Sequence, residues 1–368
     1  MTRTARFVHQ VARPQGRPSP GDFAFVDVPL PAVEPGGALV ENIHLSVDPY
    51  MREVMDVGEL HAPMEGRALG RVVESRSDHL KVGDLVAHRL GWRTHALLSP
   101  DQIPERGAAP DPGGVQVRLR EPGVPALRSA GVRVIRPPAG VPLSTYLSLL
   151  GGTGLTAYVG LTRIARLQPG ESLYVSAAAG GVGTAVGQLA RLMGVGHLVG
   201  STGSAAKVRH LTERLGFDAA FDHHDGPIGG QLRRAAPDGL DVYFDNVGGE
   251  HLSGAIEALR DGGRIAWCGA VAQYDDAANP PAAPRNLYDV VSKSLRLEGF
   301  LVRNHREVQG ELEEYLTPYL RSGALVPDQT VTVGFDRSVD AFLGMLAGEN
   351  TGKAIVQVAE EPVSRAGR

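Results

Sequence analysis

From about Pro142 to about Phe300, short apolar runs alternate with amphipathic stretches, a pattern that predicts strands alternating with helices around a parallel sheet. The runs that qualify as strands are Leu173 to Ser176, His197 to Gly200, Ala219 to Asp222, Leu240 to Asp245, Arg264 to Cys268 and Leu295 to Phe300. Helices are expected between them, starting near Gly183, Ala205, Gly226, Gly249 and Arg285. Upstream of about Arg136 the chain is rich in Val, Pro and Gly. Runs such as Ala38 to Ile43, Gly70 to Ser75 and Asp84 to His88 are cut by turn residues, which predicts a compact β-barrel-like domain. Short β-like runs return from Val331 to Val358 around one helix, Val339 to Ala347. The expectation is an α/β protein with a barrel domain over 1–140, a doubly wound parallel sheet over 141–330, and a return to the barrel over 331–358.

Two stretches fall outside this plan. Asp101 to Gly131 has the composition of a long loop and is expected to be a mobile insert. Residues 359–368 are charged and contain Pro, and are expected to be a disordered tail.

With 368 residues the chain is long enough for two domains, and its net charge of -4 argues against nucleic acid or an anionic membrane as the main partner. No apolar stretch reaches the length of a membrane span, and the first residues lack the apolar core of a secretory signal, so the expected location is the cytoplasm. Cys268 is the only cysteine, which excludes an internal disulfide and a cysteine-built zinc site. His44, His61, His88 and His95 lack the spacing of a metal motif and read as surface or hydrogen-bonded core residues, so no metal is expected. There is no Gly-x-Ser-x-Gly elbow, and Cys268 after its apolar run reads as an inert thiol.

The chemistry that remains lies at the ends of the predicted strands. Leu173 to Gly183 reads as strand, glycine turn and helix start, with Ala177, Gly180 and Gly183 spaced as a variant of the dinucleotide fingerprint. Free N–H groups at such a helix start hold a pyrophosphate. After the second strand, Ser201 to Arg209 offers hydroxyls, Lys207 and Arg209 in place of the carboxylate that would bind a ribose hydroxyl, which favours NADPH over NADH. Lys207 also reads as a solvated lysine at a helix start. Asp245 to Gly249 and Cys268 to Tyr274 place polar groups and glycines at two further strand ends, facing a nicotinamide or serving tight turns. Val47 to Arg52 joins an Asp-Pro turn to Tyr50 and Arg52, where Tyr50 as packed core and Arg52 as a surface ion pair remain an open alternative.

Together with Gly154 to Tyr158, Leu215 to Asp218, Pro284 to Leu287 and Gly352-Lys353, these motifs make the chain resemble the zinc-independent branch of the medium-chain dehydrogenase/reductase superfamily. The most similar group is that of prostaglandin reductases, leukotriene B4 12-hydroxydehydrogenases and alkenal double-bond reductases. The resemblance implies a GroES-like β-barrel substrate domain beside a Rossmann domain, a homodimer, and NADPH-dependent reduction of the C=C bond in α,β-unsaturated ketones or aldehydes. It implies that Gly180, Gly181, Val182 and Gly183 hold the pyrophosphate and that Lys207, with Ser201 and His223, holds the 2′-phosphate. Asn246, Cys268, Gly269, Tyr274, Phe300, Leu301, Val302 and Asn350 would line the rest of the cofactor. His223 stands where relatives carry a tyrosine, and the 101–131 insert has no counterpart in them. Hydride addition to the β-carbon leaves negative charge on the carbonyl oxygen, so a neutral phenol is a suitable donor, with Tyr274 as first candidate and Tyr50 as second. The competing readings are a quinone or carbonyl reductase of the same superfamily and a non-catalytic NADPH sensor.

Overall fold

In the computed structural model, which describes residues 3–104, 131–275 and 279–361, the chain builds two large sheets that share a wall. The N-terminal strands are β1 (Thr4–Gln10), β2 (Phe23–Pro29), β3 (Ala38–Ser46), β4 (Ala62–Pro63), β5 (Ala68–Ser75), β6 (Leu85–His88), β7 (His95–Leu98) and β8 (Arg133–Ile135). The parallel set is β9 (Ser172–Val175), β10 (His197–Thr202), β11 (Ala219–Asp222), β12 (Leu240–Asp245), β13 (Leu259–Trp267) and β14 (Arg296–Gly299). Its order is β11-β10-β9-β12-β13-β14, with every neighbouring pair parallel. The chain therefore starts in the middle and winds outward twice, leaving a switch point beside β9 where ligands bind in such sheets.

Two late strands, β15 (Gln329–Val333) and β16 (Lys353–Gln357), join the N-terminal sheet in the order β15-β16-β3-β5-β6-β8, with β7 also on β3. β1 lies between β2 and β4 in a smaller sheet. The helices are α1 (Met51–Val57), α2 (Gly152–Val159), α3 (Gly181–Leu192), α4 (Ala205–Arg214), α5 (Ile228–Ala235), α6 (Gly249–Ala258), α7 (Tyr288–Ser292), α8 (Gln309–Ser322) and α9 (Ser338–Leu346).

The strand periodicity has a simple cause. Leu173, Tyr174 and Val175 in β9, and Val242, Tyr243 and Phe244 in β12, are all fully buried, because helices cover both faces of a parallel sheet. One face packs Val175, Leu189 and Phe244 into a core that runs on into Ile43, Leu69 and Ile355 of the N-terminal sheet. The other packs Tyr174 and Tyr243 against Leu232 and Ile256. Met51, Met55, Trp92 and Phe342 form a third cluster that anchors α1.

The expected strand positions agree with the structure to within a few residues, apart from the earlier start of β13. The sequence pattern did not single out α1, α2 or α8. In α2 most positions are buried, so no polar face marks it, and Pro318 interrupts the Leu312, Leu316, Leu320 stripe of α8. Most of the 101–131 insert, at 105–130, and the tail from 362 lie outside the described residues.

His88, at the end of β6, and His251, in α6, are buried, and burial pushes their pKa values from 6.5 down to about 3 and about 4. The fold therefore holds both rings neutral, while the unfolded chain takes up protons as pH falls below 6.5. Stability is full above pH 6.5 and is expected to fall by up to about 1.4 kcal/mol per pH unit for each histidine as pH drops towards 4. His88→Asn, which keeps an acceptor for the Leu90 N–H, should flatten that slope by one proton in urea unfolding. A wild-type stability flat across the interval would show that neither ring is buried neutral.

Candidate active site

The site begins where β9 runs out. The turn after Val175 carries Ala177 at φ +46°, a left-handed conformation in which a glycine would be less strained. It leads to Gly180, whose side-chain-free position starts α3 with no capping group. The N–H groups of Gly181, Val182 and Gly183 thus open the helix towards the cleft. Gly183 is needed for another reason: a Cβ there would stand 2.4 Å from the Ala177 carbonyl oxygen, so only glycine lets helix and strand approach. Gly180 pairs with Gly352, whose N–H donates to the Ala179 carbonyl at 2.8 Å, and Asn350 donates to the Gly352 carbonyl at 2.7 Å. The loop before β16 is thereby fastened to the glycine turn.

At the far end of the cleft, β10 and β11 deliver Lys207 and His223 around Gly203. A Cβ on Gly203 would lie 3.1 Å from the His223 ring. Ser204 caps α4 by accepting from the Lys207 N–H, and the Lys207 ammonium donates to the Gly348 carbonyl. Burial lowers the Lys207 pKa. The Nδ1 of His223 lies 2.7 Å from the Thr202 carbonyl, so it carries the proton and leaves Nε2 for a ligand. Ser201 is placed differently from the others: it is fully buried, and its hydroxyl bonds Tyr174 at 2.8 Å and His251 at 3.3 Å within the protein. Asp222, His223 and His224 also bring potential metal-ligand atoms within 4.8 Å of one another, a grouping the sequence spacing did not suggest. The Asp222 carboxylate is engaged by the His224 N–H and ring.

The ends of β12 and β13 form the other half. Asp245 accepts from Tyr243, Val247 N–H and Gly248 N–H, which fixes the turn behind Asn246. Asn246 donates to the Ser176 carbonyl at 2.7 Å and accepts from the Cys268 thiol at 3.1 Å. Burial, and after it the Asp245 charge, pushes the Cys268 thiol far above its usual range, so it is no nucleophile at neutral pH. A cavity of about 510 Å³ opens here, lined by Cys268, Gly269, Tyr274, Phe300, Leu301 and, from α1, Glu53. Val302 follows directly in the chain, where a 3-10 turn begins. The Tyr274 hydroxyl accepts weakly from the Ala270 N–H at 3.4 Å. Burial, then the Glu53 carboxylate, pushes Tyr274 up to about 12, which keeps it protonated.

Tyr50 is not among the cavity's lining. It stands at the N-terminus of α1 with its hydroxyl buried and without a hydrogen-bond partner among the described residues, and burial raises its pKa. Arg52 is not at the surface: it is 3% exposed, pairs with Asp56 at 2.7 Å and donates to the Gly16 carbonyl. Asp48 and Lys353 form an ion pair at 2.9 Å with side chains 7% and 3% exposed, and Lys353 also donates to the Val47 carbonyl. Burial alone would raise the Asp48 carboxyl, yet the charges of Lys353 and Arg67 outweigh it and hold it at about 2. Sequence reasoning missed Glu53 as a cavity residue and the Asp48–Lys353 pair that stands next to the glycine turn. Asp48 and Lys353 each stood in a noted motif, but nothing local connects positions 305 residues apart.

This geometry has known counterparts. A family model for the N-terminal domain of oxidoreductases matches residues 6–105, and one described as zinc-binding dehydrogenase matches residues 181–317. The putative NADP-dependent oxidoreductase YfmJ of Bacillus subtilis is 34% identical over 98% of this chain and 99% of its own. Prostaglandin reductase 1 of Mus musculus is 37% identical over 93% of this chain and 96% of its own. The crystal structure of CurA from Vibrio vulnificus in complex with NADPH superposes with a TM-score of 0.81 at 28% identity, covering 97% of this chain and 100% of that one. The chain belongs to the medium-chain dehydrogenase/reductase superfamily, in the group of NADP-dependent reductases that includes prostaglandin reductase 1 and the 2-alkenal reductases.

Proposed function

We propose that the protein uses NADPH to reduce the C=C bond of α,β-unsaturated ketones and aldehydes, without a metal. The observation that carries this reading is the cavity beside the β12 and β13 ends, where the Tyr274 phenol is held protonated next to a thiol that cannot act as a nucleophile. Relatives named prostaglandin reductase 1, 2-alkenal reductase and NADPH-dependent curcumin reductase support it. The cofactor fits the residues present. The Gly181 and Val182 N–H groups stay open at an uncapped helix start, while that of Gly180 donates to the Ala177 carbonyl, and the Lys207 ammonium, beside His223, offers a donor to a 2′-phosphate. When bound, NADPH supplies the hydride.

The chain's own residues orient the substrate and handle charge. Cys268, Gly269, Phe300 and Leu301 line the cavity that takes the nicotinamide end, Asn246 holds the Cys268 thiol behind it, and Gly352 with Asn350 fastens the glycine turn. Tyr274 donates a hydrogen bond to the carbonyl oxygen as it gains negative charge, a stabilisation larger in the transition state than in the ground state. The α-carbon then takes its proton from Tyr274 or from water. An inert Cys268 also suits an enone site, because a thiolate there would add to the β-carbon in competition with hydride.

The test is nicotinamide oxidation with NADPH and NADH against enones, alkenals, quinones and saturated ketones. Enone turnover with NADPH well above NADH is expected, and Lys207→Ala should narrow that gap. Turnover of quinones or ketones alone would overturn the reading in favour of a sister activity. Tyr274→Phe is expected to lower kcat for an enone by about 10² while leaving the KM for NADPH within about two-fold. A raised KM for NADPH with unchanged kcat would assign Tyr274 to cofactor binding.

A further inference from the structure

The strand at one edge of the parallel sheet ends in three residues whose potential ligand atoms converge. β11 closes on Asp222, and the 3-10 turn after it brings in His223 and His224. One carboxylate oxygen and one nitrogen from each ring lie within 4.8 Å of one another. The two rings stand 3.9 Å apart, centre to centre, at an angle of 36°. Both turn the same edge to one point: a Cβ on Gly203 would lie 3.1 Å from Cε1 of His223 and 3.5 Å from Cε1 of His224. With glycine at 203 that shared edge stays uncovered.

The hydrogen bonds decide what the rings offer. Nδ1 of His223 faces the Thr202 carbonyl oxygen at 2.7 Å, and Nδ1 of His224 faces the Asp222 carboxylate at 2.8 Å. Both partners only accept, so each Nδ1 carries a proton and each neutral ring presents the lone pair of Nε2. A lone pair donates nothing to a phosphate, but it is what a metal ion requires. Metal-binding histidines hold their other N–H on a carbonyl or a carboxylate in this way, which fixes the ring and raises its basicity. The bonds from His224 fall on one Asp222 oxygen, Oδ1, and leave Oδ2 for the ion. Behind His223 lies the His251 ring at 5.7 Å, itself fixed by the Tyr174 hydroxyl at 2.7 Å. The His224 side chain is 67% exposed, so an ion reaches the group from solvent.

We propose that Asp222, His223 and His224 form a binding site for a divalent transition-metal ion such as Zn²⁺. Two imidazoles and one carboxylate select such an ion over Mg²⁺ or Ca²⁺, which prefer oxygen ligands throughout. Bonds of about 2.1 Å place two ligands of one ion at most about 4.2 Å apart, so the group closes by well under about an ångström on binding. The ion plays no part in hydride transfer, because β11 is four strand spacings, about 19 Å, from the β13 end that holds Tyr274. It borders instead the turn from Gly203 to Lys207. Without the ion that turn has the Asp222 carboxylate as a neighbour, which repels an anion. With the ion the local charge is positive, and a 2′-phosphate beside Lys207 is held more tightly. This coupling, unlike the site itself, rests on the NADPH reading given above.

The test is titration of the full chain with Zn²⁺, followed by calorimetry, and with Co²⁺, followed by its visible absorption. Wild type is expected to bind one ion with a micromolar Kd. His223→Asn keeps a donor for the Thr202 carbonyl and removes the Nε2 lone pair, so it should weaken binding at least about ten-fold, as should His224→Ala and Asp222→Asn. His61→Asn, at an exposed histidine of the N-terminal domain, should leave binding unchanged. Absence of saturable binding below millimolar ion, or binding that survives the first three substitutions, overturns the proposal. NADPH affinity, measured by fluorescence, should tighten several-fold with Zn²⁺ while NADH affinity does not, and His224→Ala should abolish the difference. An ion that needs all three side chains yet leaves NADPH affinity unchanged would uphold the metal site and move the 2′-phosphate away from Lys207. None of these readouts requires enone turnover, so failure of the functional reading is told apart from failure of the site.

Discussion

The buried ion pair between Asp48 and Lys353 is the contact on which the site depends. Two charges withdrawn from water carry a large desolvation cost, and burial lowers the lysine's pKa while its partners hold the aspartate ionised. Such a pair is weak evidence for stability but strong evidence for register, because neither charge tolerates losing the other. Asp48 fixes the turn that presents Tyr50 and α1. Lys353 begins β16, immediately after the Gly352 that docks on the glycine turn. One interaction thereby ties the turn before α1 to the strand that docks on the glycine turn, and the candidate site lies beside that junction.

Around that junction the electrostatics divide in two. On the Rossmann side two groups at the cavity are held neutral, Tyr274 raised to about 12 and the Cys268 thiol raised further, beside an Asn246 amide locked by Ser176 and Cys268. On the barrel side the charges are permanent, with Arg67 over Tyr50 and Arg89 paired to Glu65.

Much of this was legible in the sequence. The six parallel strands could be placed because each is buried on both faces and so reads as an unbroken apolar run, as at Leu173 to Val175. The glycine turn could be placed because a close approach allows only glycine at Gly183. Lys207 and the strand-end loops up to Tyr274 were read from the residues themselves, and the resemblance added the roles expected of them. What the sequence did not disclose are the contacts made at long range: Lys353 with Asp48, and Arg67 over Tyr50. A lone arginine after a glycine has no local pattern, and its place over the Tyr50 ring and beside Asp48 exists only once separate elements meet. The same holds for Arg52, whose burial depends on Gly16 and Asp56 arriving around it.

The most direct test of the account is a double-mutant cycle on Asp48→Asn and Lys353→Met, with NADPH affinity and enone turnover both measured on folded protein. If the ion pair ties the turn and the strand together, Lys353→Met weakens NADPH binding and turnover in one step, and the double variant loses little more than either single one. Independent, additive losses, or a Lys353→Met variant with both properties intact, would contradict it.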